Sequence, residues 1–293
     1  MQKNSKKRKT VWILGFVAAL IAAVIISFQI QYTPVSRKFQ RDVQRHTEQS
    51  VIIESVFTEP DIAHLPEPLQ NHFRTAGIIG QPIMSGFYMF VPSAPLYPSS
   101  DDSPLILDYH LHVFAHAPIR LAYMRTSMFG IPFEAYDSFQ NGNGFMRGVI
   151  GKVFTLFNET GIEMDRGLLL TYLGEFAMLP SLIFSDYITW EAIDAHNVRA
   201  TITHDGISGS GIFTLGDDGF IRYFRTSERA RVNTDGSIDF LDWSIVYGYW
   251  AENESGMYIP THFKVIWHEP QGILYILNQP AVLMLSFVEE KEV

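Results

Sequence analysis

The sequence predicts a mainly β (α+β) protein: an N-terminal transmembrane helix, then a large curved antiparallel sheet or half-barrel with one or two covering helices. Three observations carry that prediction. Residues 10–36 contain no Asp, Glu, Lys, Arg or His. From about Ile78 onward, apolar and polar residues alternate in run after run, the pattern of half-buried strands. Short turn signals separate those runs, which suits antiparallel pairing and leaves no room for βαβ crossovers.

The apolar segment comes first. As a helix rising about 1.5 Å per residue, Val11 to Ile30 extends ~30 Å, enough for a hydrocarbon core. It leaves through Ile26-Ser27-Phe28-Gln29-Ile30 without a small-x-small cleavage pair, so an uncleaved anchor is expected over a signal peptide. Lys3, Lys6, Lys7, Arg8 and Lys9 precede it, and Arg37, Lys38, Arg41 and Arg45 follow. The denser N-terminal cluster places the N-terminus in the cytoplasm and the domain outside, at the cell membrane. The expected organisation is a basic tail at 1–10, the anchor at 11–30, a juxtamembrane helix and linker at 31–64, a β-rich domain at 65–288 and a tail at 289–293.

Val35, Phe39 and Val43 share one helical face up to about Gln49, with basic residues on the other sides, which reads as a helical linker leaving the membrane. Pro68 to Ala76 reads as a short helix whose Leu69, Phe73 and Ala76 share a face and which Gly77 ends. Strand alternation is clearest through Leu105, Leu107, Tyr109, Leu111 and Val113. It returns through Leu241, Trp243, Ile245, Tyr247 and Tyr249, and through Ile259, Thr261, Phe263, Val265 and Trp267. Asn141-Gly142-Asn143-Gly144, Asp205-Gly206, Asp218-Gly219, Asp235-Gly236 and Ser255-Gly256 are turn signals. One helix interrupts the strands, with Asp165 as its N-cap, running through Met178 and stopping before Pro180. The last strand, Ala281 to Val288, is apolar on both faces and is expected to be covered.

Hydrophobic residues make up 47% of the chain and aromatics 14%, which argues for a substantial core. Without cysteine there are no disulfides, thiolate nucleophiles or Cys-based zinc sites. Beyond the tail, 17 Lys and Arg face 31 Asp and Glu, a balance of −14 that argues against nucleic-acid binding.

Leu65-Pro66-Glu67-Pro68-Leu69-Gln70, then Asp165-Arg166-Gly167 leading into Tyr172-Leu173-Gly174-Glu175 and Pro180, resemble a family of uncharacterised bacterial proteins. Trp190-x-x-x-Asp194, Asp218-Gly219, Arg229, Trp243 and Tyr258-x-Pro260 follow in the family's order. The resemblance covers about residues 65–279. It implies a single β-rich domain, often behind a membrane segment, and no assigned activity. The family places a basic residue before the helix tyrosine, where this chain has Thr171. By architecture alone the reading is similar to periplasmic lipoprotein-carrier half-barrels, an analogy of fold.

Glu175 is the foremost candidate residue. It falls within the apolar stripe of Leu168, Tyr172, Phe176 and Leu179, and a buried carboxylate must be paired, hydrogen-bonded or protonated. It is either an acid/base or ligand contact, or a structural partner of Arg199, Arg222 or Arg229. The structural pair is the favoured reading. Asp108, His110, His112 and His116 alternate on one strand and are a weak metal candidate, since a polar outer face has the same pattern. Arg222, Arg225, Arg229 and Arg231 surround one hairpin and could hold an anionic headgroup or carboxylate, but a solvated or internally paired face is the favoured reading. Gly206-Ile207-Ser208-Gly209-Ser210-Gly211 lacks the final Gly of a nucleophile elbow and the Lys of a P-loop, so it reads as a glycine-rich hairpin. No cofactor is implied.

The leading expectation is a membrane-anchored, extracytoplasmic domain whose sheet encloses an apolar cavity for a lipid-like or amphipathic molecule, touched by Tyr172, Glu175, Arg229 and Trp243. Its partners are then the bilayer, through Val11 to Ile30, and that small molecule. The alternatives are a hydrolase or isomerase using Glu175 as acid/base, and an envelope interaction protein without a ligand.

Overall fold

The computed structural model describes residues 2–29, 33–51, 53–97, 103–128, 130–232, 237–269, 272–280 and 282–284. Its first element, α1 (Gln2–Gln29), is one helix long and apolar enough to cross a membrane, and residues 8–27 are exposed along it.

The second helix, α2 (Pro34–Gln49), departs from the linker reading. Its Thr33 cap accepts from Ser36 N at 3.1 Å, and Pro34 suits the first turn. The stripe of Val35, Phe39 and Val43 lies on the outer face of the sheet, against Leu121, Tyr123 and Tyr136. Asp42 is buried there and accepts from Lys38 at 2.6 Å, Arg45 at 2.9 Å and the Tyr136 hydroxyl at 2.8 Å. Burial raises its pKa, but the hydrogen bonds from Lys38, Tyr136 and Gln140 outweigh that and hold it below the usual carboxylate value. A helix that only left the membrane would have no reason to bury a carboxylate. Two short helices follow, α3 (Glu59–Ile62) and α4 (Glu67–Thr75), the latter ended at Gly77 with φ of 65°.

Six strands then form an antiparallel meander: β1 (Gly86–Leu96), β2 (Leu105–Phe114), β3 (Ile119–Met128), β4 (Ile131–Gln140), β5 (Asn143–Ile150) and β6 (Phe154–Thr160). From β6 the chain crosses the interior as α5 (Ile162–Gly174) and two 3-10 segments, Glu175–Ala177 and Pro180–Phe184. The second meander is β7 (Ile188–Ala192), β8 (Asn197–His204), β9 (Ile207–Leu215) and β10 (Ile221–Thr226). A small hairpin, β11 (Ala230–Val232) with β12 (Ile238–Phe240), stands apart, and the meander resumes as β13 (Trp243–Glu252), β14 (Tyr258–Glu269) and β15 (Gly272–Pro280). β15 joins β1 through Leu96 and Leu277, and β16 (Val282–Met284) pairs with β1 at Tyr88–Phe90.

Among the described residues this makes one 14-stranded sheet, open between edge strands β6 and β7. α5 touches β3 to β6 on one flank and β8 to β10 on the other, so the sheet must bend around it. That is the curved antiparallel architecture the alternation predicts, with α5 and α4 covering the concave side.

Local chemistry explains the turns. Asn141 and Gly142 have φ of 53° and 68°, and Asp205 and Gly206 have 50° and 78°, the paired positive angles of type I′ hairpins. Asp235-Gly236 and most of the Ala281 to Val288 strand lie outside the described residues. Helix α5 begins before its expected cap. Gly161 precedes its first turn, and Asp165, already inside the helix, accepts from Gly144 N at 2.6 Å. The regular helix also ends at Gly174, so Glu175 opens a 3-10 turn. Alternation fails once within β13: Tyr249 has φ of 51° and is 75% exposed, and Trp250 turns inward to donate to Ile221 O at 3.0 Å.

Candidate functional site

A largely apolar cavity of about 350 Å³ lies between the concave face and α5. Strand register explains its lining. The pairs Leu111–Ala122, Ala122–Asp137, Asp137–Met146 and Met146–Glu159 run across β2 to β6 as one row of directly opposed residues. Because side chains alternate faces with period two, an inward Leu111 makes Asp137 and Glu159 inward too. The opposite wall is Trp243 and Ile245 of β13 with Phe263, Val265 and Trp267 of β14.

Glu175 and Arg120 form the polar centre. Arg120 Nε donates to Glu175 Oε1 at 2.7 Å, Nη1 to Asp137 Oδ2 at 2.8 Å and Nη2 to the Tyr109 hydroxyl at 2.8 Å. Glu175 is ion-paired, but with Arg120 on β3 and not with Arg199, Arg222 or Arg229. Arg199 and Arg222 instead pair with Glu191 and Asp218. Burial drives the Glu175 carboxyl up to about 7, against the pull of Arg120. Glu175 Oε2 and Asp137 Oδ1 are buried without a protein partner among the described residues. A proton on Oε2 would remove the buried charge while Oε1 still accepts from Arg120.

Arg229 differs from its neighbours. Arg222, Arg225 and Arg231 have Asp218, Asp242 and Glu269 as partners. The Arg229 guanidinium instead lies 4.9 Å from the Trp243 ring centroid and 5.0 Å from that of Trp267, and its Nε donates to Thr171 Oγ1 at 3.1 Å. It has no ion pair among the described residues and lines the cavity. Burial lowers its pKa to about 10, with the charge of Asp137 working the other way. Thr171 turns the same hydroxyl back to Gly167 O at 2.8 Å, so it orients Arg229 as a neutral acceptor.

The other candidates fall elsewhere. Tyr172 is a strut, with its hydroxyl donating to Phe114 O at 2.9 Å and meeting the Tyr187 hydroxyl at 3.1 Å, and it is not among the cavity-lining residues. Asp108 caps the β1 bulge at Ser93 N and pairs with Arg125 at 3.2 Å. His110 meets the Tyr88 hydroxyl at 2.8 Å and stacks on Phe90. His112 packs between Tyr88 and Phe39, and burial lowers its pKa to about 4. β2 ends at Phe114, so His116 lies in the following turn and not on the strand. Among the described residues no group of three or more His, Asp or Glu side chains is placed to hold a metal ion. In the glycine-rich hairpin, a Cβ on Gly209 would sit 2.9 Å from Leu170 Cδ2 of α5, and one on Gly211 would sit 2.2 Å from Phe224 Cζ. These glycines make room for packing.

Sequence reasoning missed Arg120, Asp137, Tyr109, Glu159 and Trp267 as site residues. Asp137 carried a usable signal, a lone carboxylate in the inward series Phe133, Ala135, Asp137, Phe139.

Residues 55–278 match a family of unknown function, DUF6544. The chain belongs to that family. Every residue that lines the cavity falls inside the DUF6544 match, whereas α1 and α2 lie outside it. No curated protein and no solved structure matches the chain.

Proposed function

We propose that the protein is a membrane-tethered binding domain for a small amphipathic molecule, held on the extracytoplasmic side with its N-terminus in the cytoplasm. The apolar body of that molecule occupies the cavity, and its polar end offers an oxygen acceptor to Arg229. One observation carries the reading: a desolvated guanidinium, without an ion pair, faces an apolar cavity between two tryptophans. A half-buried cation with no carboxylate in ion-pair contact is costly even with the charges of Asp137 and Glu159 nearby, and a ligand acceptor would relieve that cost. The volume lies at the small end of the roughly 300–1,000 Å³ typical of ligand pockets, which suits one short chain or ring system more than a multi-acyl lipid.

The test is native mass spectrometry with solvent extraction on the full chain in lipid nanodiscs, beside an Arg229→Met variant. A species retained at defined stoichiometry by the wild type and lost from the variant supports the reading. An empty wild type that takes up nothing from a panel of short-chain acids, alcohols and esters overturns it. A second reading rests on Glu175, whose pKa near neutrality and place in the cavity wall suit a general acid or base. A Glu175→Gln variant with full biological activity would remove it.

A further inference from the structure

The β5–β6 hairpin stands out in charge and in exposure. Between Asp137 and Glu159 the chain has no acidic residue but carries Arg147 and Lys152, in a protein of net charge −9. Gly151 and Lys152 have φ of 59° and 70°, which makes the turn tight and throws the next residues outward. Val153 is 72% exposed, Phe154 69% and Leu156 54%, and Ile131 stands beside them at the start of β4, 38% exposed. β6 is also an edge strand, and an exposed apolar edge invites aggregation unless something covers it.

Two separate ties place this tip at the end of α1. Lys152 Nζ donates to Ser27 O, and a Cβ on Gly151 would lie 4.0 Å from Phe28 Cζ and 3.6 Å from Ile131 Cγ2. The Thr33 hydroxyl, four residues beyond the end of α1 at Gln29, donates to Glu134 Oε1 at 2.8 Å, three residues from Ile131. Four Cα steps of about 3.8 Å bring Thr33 within roughly 15 Å of Gln29 however the intervening chain runs. The tip therefore sits where the apolar helix ends.

We propose that the β5–β6 tip, with Ile131 beside it, dips into the membrane interface next to α1. Val153 and Phe154 enter the acyl boundary while Lys152 and Arg147 lie at the headgroup level. The proposal rests on α1 spanning the bilayer. Apolar side chains beside basic ones, at the mouth of an apolar helix, match the interface in both hydrophobicity and charge. The same strand carries Phe157 and Glu159 to the cavity wall, with Phe157 about 10 Å beyond Phe154 at strand rise. The immersion thus brings the cavity close to the lipid surface.

The chain has no cysteine, so single labels are clean. Val17→Cys, Val153→Cys and Asn143→Cys full-length variants would carry a nitroxide in nanodiscs of phosphatidylethanolamine and phosphatidylglycerol. Collision with oxygen, which concentrates in lipid, is compared with collision with a water-soluble nickel chelate. Asn143 is an exposed reference at the far end of the same hairpin. The expected result is an oxygen-to-nickel ratio several-fold higher at Val17 and Val153 than at Asn143. A Val153 ratio equal to that of Asn143, with Val17 in lipid, overturns the immersion and leaves the anchor standing. Water-like ratios at both Val17 and Val153 remove the anchor and the immersion together. A Val153 label shielded from both reagents means a protein partner covers the tip, and overturns the bilayer as its occupant.

Discussion

Arg120 Nε and Glu175 Oε1 meet at 2.7 Å across 55 residues of sequence, joining the third strand to the turn at the end of the interior helix. The same guanidinium also holds Asp137 at 2.8 Å, so one cation serves two buried carboxyl groups.

Removing that cation should be among the most damaging single changes in the domain. Arg120→Met leaves Asp137 and Glu175 buried without their partner, at an expected cost of about 3–5 kcal/mol. Adding Glu175→Gln should recover part of the loss, since the neutral amide needs no counter-charge. Chemical unfolding of the full chain in nanodiscs, followed by tryptophan fluorescence, measures both.

The raised pKa of Glu175 has a definite sign in stability. The folded state holds its proton up to about pH 7, whereas the unfolded carboxyl releases it near the ordinary glutamate value of 4.5. The folded state thus binds more protons between those values, and stability falls as pH rises through the window. The contribution is full below pH 4.5 and is lost by pH 7, roughly 3 kcal/mol at most. Glu175→Gln should lack this component, so its stability relative to wild type should rise from pH 4.5 to 7. A constant difference across that range would contradict the assignment.

Tyr172 should affect the fold and not the ligand. Tyr172→Phe removes donation to Phe114 O and leaves that buried carbonyl short of a partner, at an expected cost of about 1–2 kcal/mol. Ligand retention at equal folded fraction should be unchanged, in contrast with Arg229→Met. Titration of both variants with the extracted ligand separates the two roles.

Gly211 tests the packing of the glycine-rich hairpin. Gly211→Ala drives a methyl against the buried Phe224 ring and against Arg225 O at 3.0 Å, with an expected loss of about 1–3 kcal/mol. Combining it with Phe224→Leu should cost less than the sum of the two single changes, because the shorter side chain vacates the contact. Thermal unfolding of the three variants gives the coupling.

The parts of this molecule that were legible in sequence are those that local chemistry decides. Leu107, Leu111 and Val113 alternate because one face of β2 is buried, and Asn141-Gly142 turns because both residues accept positive φ. Arg120 was hidden because β3 is buried on both faces: Ile119, Leu121 and Tyr123 pack under α2, while Ala122 and Met124 face the main core. With no polar face to set the phase, an arginine there gives no direction. Arg229 could not be told from Arg222, Arg225 and Arg231, because the difference lies in which cation finds a carboxylate, a property of register between distant strands. The α2 stripe was visible, but a three-residue apolar face does not reveal what it packs against.

The first strand of the sheet is also the seam that joins its two meanders. Leu96 pairs with Leu277, 181 residues later, so the hydrogen-bonding edge of β1 has no mate until almost the whole domain has been made. At a synthesis rate of about 5–20 residues per second, that interval is roughly ten to forty seconds. During it the first meander can fold as neighbouring hairpins, but its inner seam stays open and sticky. Long-range pairing of this kind is slow as well as late. An unfinished β edge is a liability until it is paired, so the yield of this protein is expected to respond to holding chaperones more than to prolyl or thiol catalysts.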